Sequence, residues 1–360
     1  MAALGFIARL CGSIVCAGTL AATPTESVPV SEGVPRIMAA AMATAPAPRS
    51  DTRLSVLTYN VHGLPEFLRK SDVGPLDAIS DRLRTLRRLG RQPHVVLLQE
   101  AFTDEAKRIG TASGYRYIAN GPAAGQNAPL RAYADWTEIE AEKQWWAGEG
   151  LGKYVDSGLQ VLSDYPILEI RRLPFPDHAC AGFDCLANKG MLLVSVGVPG
   201  LPEPVDIATT HLNSRGSAGV ARSRSLVAYR RQVEELFGFL EARRHPQRPL
   251  IFAGDLNIGS ARARRAAFFG GLRGAAPELP LQDAISSVAT HHPAGMPDAA
   301  IEVQQRAKDW QFWSNGSETA LEPVAIDVSF GHEPDGTMLS DHIGFAAEYR
   351  IVAPARRRGS

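Results

Sequence analysis

The chain has few cysteines and no excess of charge of either sign. Only 4 of its 360 residues are cysteine, which excludes a small scaffold held together by disulfides. Lysine plus arginine number 38, as do aspartate plus glutamate, so a strongly basic nucleic-acid-binding protein is not indicated. Charged residues make up 21% of the chain and hydrophobic residues 45%. That balance is typical of a globular protein with a substantial core, not of a disordered chain.

Several catalytic and binding motifs are also missing. The sequence has no His-Glu-x-x-His helix and no Cys-x-x-Cys pair, so nothing indicates a zinc site. It has no Gly-x-x-x-x-Gly-Lys phosphate-binding loop and no Gly-x-Ser-x-Gly elbow, which argues against P-loop nucleotide binding and against a serine esterase. The chemistry must therefore come from other residue types.

The two ends of the chain differ in composition from the middle. Residues 1–22 carry an apolar run after Arg9 and small residues near Ala22, typical of a secretory signal; a disordered extension is the alternative. Residues 23–52 are rich in Ala and Pro and are interpreted as a linker. We expect one catalytic domain at 53–353, a solvated basic tail at 354–360, and a monomeric protein exported to the periplasm or the medium.

Short apolar runs separated by Gly and Pro predict buried strands in the middle of the chain. These runs lie at 54–59, 95–99, 159–162, 191–196, 205–210, 250–253 and 344–349. Apolar residues at helical spacing predict helices at 76–89 and 220–243. Strands and helices mixed in this way indicate α/β or α+β architecture, with helices covering sheets.

Five segments of the chain share one pattern, in which apolar residues are followed by acids, amides or imidazoles. The polar residues at the segment ends are Asn60, Gln99 and Glu100, His211 and Asn213, Asp255 and Asn257, and Asp341 and His342. A buried strand has little reason to end in such a group unless it meets water, a partner or a metal. Carboxylate and amide oxygens suit Mg²⁺ or Ca²⁺. The pattern predicts a cation site with histidines nearby, able to hydrolyse a phosphodiester.

The ordered set resembles the endonuclease/exonuclease/phosphatase superfamily, which has the deoxyribonuclease I-like fold, over residues 54–350. The resemblance implies a four-layer α/β sandwich: two packed mixed β-sheets flanked by helices, with the site at one edge of the sheets. It also implies Mg²⁺ as the cofactor, with Mn²⁺ or Ca²⁺ as alternatives. The implied metal-side residues are Asn60, Glu100 and Asp341.

The resemblance further implies a catalytic group. Its members are His211, Asp255, Asn257, His342 and Asp309. His211 corresponds to a phosphate-binding histidine and Asp255 to the aspartate that orients or deprotonates water. Asn257 corresponds to an amide that steadies the transition state, and His342 to a general base or phosphate-binding imidazole. Asp309 would orient His342, with Asp327 as the alternative.

Two segments further resemble secreted bacterial sphingomyelinases. One lies at 156–167, and the other contains Asn188 and Lys189, which become candidate substrate-binding residues; a solvated turn lysine is the alternative for Lys189. The resemblance favours a sphingomyelinase C-like hydrolase acting at a phospholipid membrane surface. In an exported protein Cys180 and Cys185 could form a disulfide, whereas in cytoplasm they would be free thiols.

Other substrates stay open. Arginines on the predicted helix at 76–89 and in the 215–231 segment would allow a nuclease with nucleic acid as substrate, and a phosphoinositide or other phosphomonoester phosphatase is a third candidate. The segment at 330–339 is too short for the aromatic hairpin of secreted bacterial sphingomyelinases. The Trp-rich stretch at 133–146, which ends in Trp145 and Trp146, is expected to pack over the domain; an interfacial membrane anchor is the alternative.

Overall fold

The computed structural model describes residues 52–64, 74–128 and 143–352. The predicted signal segment at 1–22, the linker at 23–52 except for Thr52, and the tail at 354–360 lie outside the described residues, as does most of the Trp-rich stretch. Among the described residues, no helix combines the length and apolar character needed to cross a membrane.

The first sheet is mixed and contains six strands. They are β1 (Arg53–Gly63), β2 (Val95–Ala101), β3 (Tyr117–Asn120), β4 (Gln160–Ser163), β11 (Ala320–Phe330) and β12 (Gly344–Val352). Their order across the sheet is β11-β12-β1-β2-β4-β3. Strands β1 and β2 run parallel, and the other neighbouring pairs are antiparallel.

The second sheet has the same size and plan. Its strands are β5 (Ile167–Pro174), β6 (Gly190–Val196), β7 (Val205–His211), β8 (Leu250–Asp255), β9 (Gln282–Asp283) and β10 (Asp309–Ser314). Their order is β5-β6-β7-β8-β10-β9. Strands β7 and β8 form the parallel pair, so each sheet has parallel strands at its centre.

Seven α-helices connect the strands of the described chain. They are α1 (Leu76–Arg88), α2 (Asp104–Lys107), α3 (Ile109–Ala112), α4 (Arg222–Arg243), α5 (Arg262–Ala275), α6 (Ala284–His291) and α7 (Ala299–Arg306). Apolar residues of α1 pack on one sheet in a cluster with Val96 and Leu98. Apolar residues of α4 and α5 pack on the other sheet in a cluster with Phe252.

The largest core lies between the two sheets. In β2, Val95 and Leu97 face this core, whereas Val96 and Leu98 face helix α1. This alternation follows from the two-residue period of a strand, and because both faces are apolar the strand is a nearly continuous hydrophobic run. The layers are therefore helix, sheet, sheet and helix. The four-layer sandwich predicted from the family resemblance is confirmed.

Candidate active site

The parallel strands bring the polar residues predicted at strand ends to one edge of both sheets. Asn60 of β1 is in register with Gln99 of β2, next to Glu100, and His211 of β7 is in register with Asp255 of β8. Strands β7 and β8 approach so closely that only glycine fits at 254, because a Cβ added there would lie 2.1 Å from the carbonyl oxygen of Thr210. Parallel strands of one sheet share a carboxyl end, which is why residues far apart in sequence meet here.

The Asn60 amide joins the two sheets. Its Nδ2 donates to Glu100 Oε1 and to Asp255 Oδ2, both at 3.0 Å. Its Oδ1 accepts a hydrogen bond from the backbone N–H of His62 at 3.0 Å, and this bond fixes which side of the amide faces the carboxylates. Asn60 therefore holds carboxylates from both sheets at a set spacing.

His342 lies between two aspartates at the same edge. Its Nδ1 is 2.8 Å from Asp309 Oδ2, and its Nε2 is 3.6 Å from Asp255 Oδ2. Burial lowers the pKa of His342, but the charges of Asp309 and Asp255 outweigh burial and raise the pKa to about 9. The structure therefore places Asp309 against His342, as the resemblance implied. The alternative residue, Asp327, lies away on β11 and pairs with Arg91 at 3.4 Å.

One ring nitrogen of His211 lies close to two carboxylates and a lysine. Its Nε2 lies 3.4 Å from Asp255 Oδ2, 3.8 Å from Glu100 Oε1 and 3.2 Å from Lys189 Nζ. Burial lowers the pKa of His211, and the Lys189 charge lowers it further. Lys189 is itself buried and pairs with Asp184 at 2.7 Å. The solvated-turn interpretation of Lys189 is therefore wrong.

Asn257 supports Asp255 from the following loop. Its backbone N–H donates to Asp255 Oδ1 at 3.0 Å, and its side-chain amide donates to the carbonyl of Leu212 at 2.9 Å. The side chain thus ties the loop after β8 to the loop after β7, which carries His211. In this arrangement Asn257 fixes the position of the Asp255 carboxylate.

Arg264 was not predicted from sequence but holds the same two loops. Its guanidinium donates to the carbonyls of Asn213 at 2.6 Å, Asn257 at 3.0 Å and Ser214 at 3.0 Å. The guanidinium also stacks 4.4 Å from the ring centre of Tyr229. Arg264 is buried in helix α5. In the sequence Arg264 stands among alanines and other arginines shortly after Asp255, and that pattern does not distinguish a buried arginine from an exposed one.

His62 is a second residue that sequence reasoning left out of the site. Its Nδ1 lies 3.5 Å from Glu100 Oε2 and 3.4 Å from Asp341 Oδ1. His62 comes two residues after Asn60 in β1, so its nearness to a motif residue was visible. The sequence did not show that its side chain turns toward the carboxylates, because that direction depends on a left-handed backbone with φ 50° at His62.

Left-handed backbone recurs at this edge. Glu100 has φ 56° and Asn257 has φ 48°. Non-glycine residues rarely take this conformation, and each instance costs of order 1–3 kcal/mol. Strain of this kind persists only where surrounding contacts impose it, and here it aims polar side chains off the strand ends.

The donor set fits a divalent cation. Glu100, His211 and Asp255 offer ligand atoms that all lie within 4.8 Å of one another. Glu100 Oε2 is buried and makes no hydrogen bond, which is costly for a carboxylate unless a cation approaches it. Burial raises the pKa of Glu100, but His62, His211 and Asn60 together hold it well below its ordinary value. The residue is thus an anion ready to bind a metal.

The remaining predicted residues lie beside the centre. Asn188 donates to the carbonyls of Ala123 at 2.6 Å and Gln126 at 2.8 Å, so it positions a loop. Cys180 and Cys185 are joined by a disulfide.

The expectation that the Trp-rich stretch packs over the domain is wrong for its described part. Trp145 and Trp146 are 55% and 48% exposed. Both lie on a short 3₁₀ helix, Trp145–Ala147, which is closed by a hydrogen bond from the backbone N–H of Ala147 to the carbonyl of Gln144 at 2.9 Å.

Comparison with known proteins places this fold and site in a family. The model of the Endonuclease/Exonuclease/phosphatase family matches residues 57–342, and the chain belongs to that family. It is accordingly a metal-dependent phosphodiester hydrolase. Comparison with curated protein sequences finds no match.

Solved structures share the fold at low sequence identity. Sphingomyelinase C from Streptomyces griseocarneus is 23% identical, with TM-score 0.52, covering 82% of this chain and 99% of that one. A variant of beta toxin from Staphylococcus aureus with bound magnesium ions is 17% identical, with TM-score 0.54 and the same coverage. D. rerio TDP2 complexed with single-strand DNA product is 16% identical, with TM-score 0.52, covering 83% and 99%.

Proposed function

We propose that this protein is an exported, Mg²⁺-dependent, sphingomyelinase C-like phosphodiesterase that cleaves the headgroup ester of a phospholipid. The observation that carries the lipid substrate is the exposed Trp145–Trp146 pair, whose rings meet edge to face at 5.9 Å. Paired exposed indoles suit the interface between water and lipid, where an apolar ring with one polar N–H is favoured. A structural relative named sphingomyelinase C agrees with this substrate.

A chain of contacts connects the tryptophan pair to the active site. Glu149, just after the pair, accepts a hydrogen bond at 2.9 Å from the backbone N–H of Gly182. Gly182 lies in the loop closed by the disulfide, and the same loop carries Asp184. Asp184 pairs with Lys189, which contacts His211. The tryptophans therefore lie on a segment attached to the wall of the site.

The site residues divide the work of hydrolysis. A divalent cation held by Glu100 and its neighbours would neutralise the phosphate and polarise its P–O bonds. Asp255 orients the attacking water and takes its proton as the new P–O bond forms. The lipid oxygen leaves with the electron pair of the broken P–O bond and receives a proton from His342 Nε2, since Nδ1 is bonded to Asp309. Lys189 and His211 would offer positive charge and a donor to a phosphate oxygen.

A substrate panel tests the proposal. The purified protein with Mg²⁺ is offered sphingomyelin vesicles, phosphatidylcholine vesicles, DNA, RNA and inositol phosphates. We expect phosphocholine release from sphingomyelin vesicles and no cleavage of DNA or RNA. Cleavage of a nucleic acid without lipid turnover would contradict the proposal and favour the nuclease. Phosphate release from inositol phosphates alone would favour a phosphomonoester phosphatase.

Tryptophan variants test the lipid contact separately from the chemistry. We expect Trp145→Ala with Trp146→Ala to lower turnover of sphingomyelin vesicles at least tenfold. The same variant should hydrolyse a water-soluble phosphodiester, bis(p-nitrophenyl) phosphate, at the wild-type rate. Leu89→Ala is the matched control, because Leu89 is an exposed apolar residue on helix α1's C-terminal side. Equal vesicle turnover by wild type and the double variant would contradict a membrane role.

Several arginines considered for a nuclease have intramolecular partners. Arg82 pairs with Glu333 at 2.7 Å, and Arg87 with Asp164 at 2.7 Å. A guanidinium already bound to a carboxylate contributes less to attraction of a polyanionic strand. This observation favours the lipid substrate over nucleic acid.

Export is part of the proposal and has its own test. The disulfide between Cys180 and Cys185 supports it, because such bonds persist in oxidising compartments. N-terminal sequencing of protein recovered outside the cytoplasm should begin after the apolar segment at 1–22. Recovery of the full-length chain only in the cytoplasm would contradict export.

A further inference from the structure

Lys308 is a lysine of the active site that has no role in the mechanism above. It directly precedes Asp309, and its Nζ lies 3.5 Å from His342 Nε2. Lys189, beside the other imidazole of the site, is paired with Asp184 at 2.7 Å. Lys308 makes no ion pair with a carboxylate among the residues that the structure describes. Its positive charge is therefore less offset by the protein than that of Lys189.

The backbone fixes the place from which the Lys308 side chain starts. Ala307, just before it, ends helix α7 in a left-handed conformation with φ 51°, which costs energy for a residue other than glycine. The carbonyl of Ala307 accepts a hydrogen bond from the N–H of Gly259 at 2.8 Å, and the carbonyl of Lys308 accepts one from the N–H of Leu256 at 2.9 Å. Lys308 is thus tied to the loop that follows Asp255.

The spacing between Lys308 and His342 leaves a position for one oxygen atom. Charge-assisted hydrogen bonds from nitrogen to oxygen are about 2.7–2.9 Å long. An oxygen at that distance from both Lys308 Nζ and His342 Nε2 completes a triangle whose third side is the observed 3.5 Å. When His342 carries its proton, the two groups are neighbouring cations, and both attract an anion that contacts them. The leaving oxygen, which takes the proton of His342 Nε2, is the atom of the substrate that suits this position.

We propose that Lys308 is a further catalytic residue, whose ammonium donates a hydrogen bond to the leaving oxygen while the P–O bond breaks. The oxygen keeps the electron pair of the broken bond and receives its proton from His342 Nε2, and Lys308 keeps all of its own protons. Lys308 thereby stabilises negative charge that develops in the transition state. The effect is largest for an alcohol leaving group, whose oxygen carries the most charge. The inference rests on the phosphodiester hydrolysis proposed above and adds a residue to it.

Two soluble substrates test whether Lys308 acts on the leaving oxygen. Methyl p-nitrophenyl phosphate and methyl phenyl phosphate differ only in the phenol that leaves, and nitrophenolate needs far less stabilisation than phenolate. We expect Lys308→Met, assayed with Mg²⁺, to lower kcat/KM roughly 100-fold for the phenyl ester and less than tenfold for the nitrophenyl ester. Equal losses for the two esters would overturn the proposal, because a merely structural defect does not distinguish leaving groups.

A second comparison shows whether Lys308 contacts the oxygen or acts only through its neighbour. We expect Lys308→Met to lower kcat/KM further in the background of His342→Ala, since the lysine reaches the leaving oxygen without the imidazole. No further loss in that background would overturn the direct contact. Lys308→Arg retains the positive charge and should recover most of the rate for the phenyl ester that Lys308→Met loses.

A lysine elsewhere provides the matched control. Lys107 is partly exposed and pairs with Asp156 at 2.7 Å, on the segment after β2. We expect Lys107→Met to hydrolyse both esters within twofold of the wild-type rate. The far-ultraviolet circular dichroism of each variant shows whether it folds. Lys308→Gln, which removes the charge but keeps a polar end, carries the test if Lys308→Met does not fold.

The outcomes separate this inference from the lipid substrate. A loss in Lys308→Met that depends on the leaving group, in a protein that hydrolyses no lipid, would sustain the role of Lys308 while contradicting the lipid proposal. Turnover of sphingomyelin vesicles by Lys308→Met at the wild-type rate would do the reverse. In that case the lipid substrate would stand and the contact with the leaving oxygen would be overturned, because sphingomyelin releases an alcohol.

Discussion

The two sheets contribute carboxylates of different character to one centre. On the side of the first sheet, the side chains of Glu100 in β2 and of Asp341 in the loop before β12 are 17% and 21% exposed. In the second sheet those of Asp255 and Asp309 are 2% and 6% exposed, and both lie against His342. The accessible pair can exchange water for a cation. The enclosed pair instead fixes the imidazole of His342, and Asp255 also belongs to the ligand group formed with Glu100 and His211.

Replacing Glu100 should have the largest effect, because it removes charge from the accessible pair. We expect Glu100→Gln to lower kcat by about four decades, the loss of several kcal/mol of metal-based stabilisation. Mg²⁺ affinity, measured by calorimetry, should fall with it while the melting temperature stays within a few degrees. Hydrolysis that survives with Mg²⁺ affinity intact would remove Glu100 from the metal side.

Replacing His342 should separate chemistry from cation binding. We expect His342→Ala to lower kcat by roughly two to four decades, the usual value of a general acid–base group. Mg²⁺ affinity should change little, in contrast to Glu100→Gln. His342→Gln is the accompanying variant, because it keeps a donor beside Asp309. A loss under tenfold in both variants would show that His342 is not part of the proton transfer.

Replacing Arg264 should show how far the loops depend on one buried cation. We expect Arg264→Met to lower kcat about tenfold and the free energy of unfolding by about 3 kcal/mol, because three carbonyls lose a charged donor. Arg244→Met is the matched control. Arg244 is also buried, lies at the C-terminal end of α4, and donates to the carbonyl of Pro246 at 3.4 Å. Equal losses of kcat in both variants would assign Arg264 to general stability alone.

The smallest effect on catalysis should come from Glu149, whose ion pair with Arg224 lies outside the centre. Burial raises the pKa of Glu149, but bonds from Arg224 and from the backbone of Gln144 and Gly182 outweigh it, so the pKa is lowered. A carboxyl group whose pKa is lowered by folding stabilises the protein at every pH above its ordinary pKa of about 4.3. That stability is lost as the pH falls through the pKa of the folded state.

We therefore expect Glu149→Gln to be less stable than wild type by about 3 kcal/mol at pH 7. Urea unfolding at pH 7 and at pH 3.5 would measure the difference, which should shrink at the lower pH. Hydrolysis of a soluble phosphodiester should stay within twofold of wild type. A stability difference that is equal at both pH values would contradict a charge-based role for this pair.

Most strands buried on both faces could be predicted from sequence, and half-exposed ones could not. The buried strand β10 was also missed, because polar Asp309, Gln311 and Ser314 interrupt its apolar residues. Every predicted apolar run overlaps an observed strand, because each crosses the core with most of its residues buried. Strand β5 was missed because Glu169 and Arg171 interrupt its apolar residues at an edge of the sheet. Strand β11 was missed because Pro323 breaks the pattern. In these strands tertiary pairing decides the conformation.

The candidate site divides in a similar way. Residues that directly follow a buried strand, such as Glu100 and Asp255, could be predicted because strand direction alone brings them to one edge. His62 depends on a local left-handed turn, and the burial of Lys189 and Arg264 depends on loops that pack over the second sheet. Neither property leaves a periodic pattern in the sequence. Lys189 in particular required Asp184 to be seen beside it.

The bridging amide of Asn60 has a consequence for how this enzyme tolerates change. One side chain bonds to carboxylates of both sheets, so the spacing of those carboxylates depends on how the two sheets pack against each other. We expect removal of a methyl group from the core between the sheets, at Ile207 or Val194 for example, to alter that spacing. Mutational sensitivity of catalysis should therefore extend along the interior between the layers, well away from any group that meets the substrate.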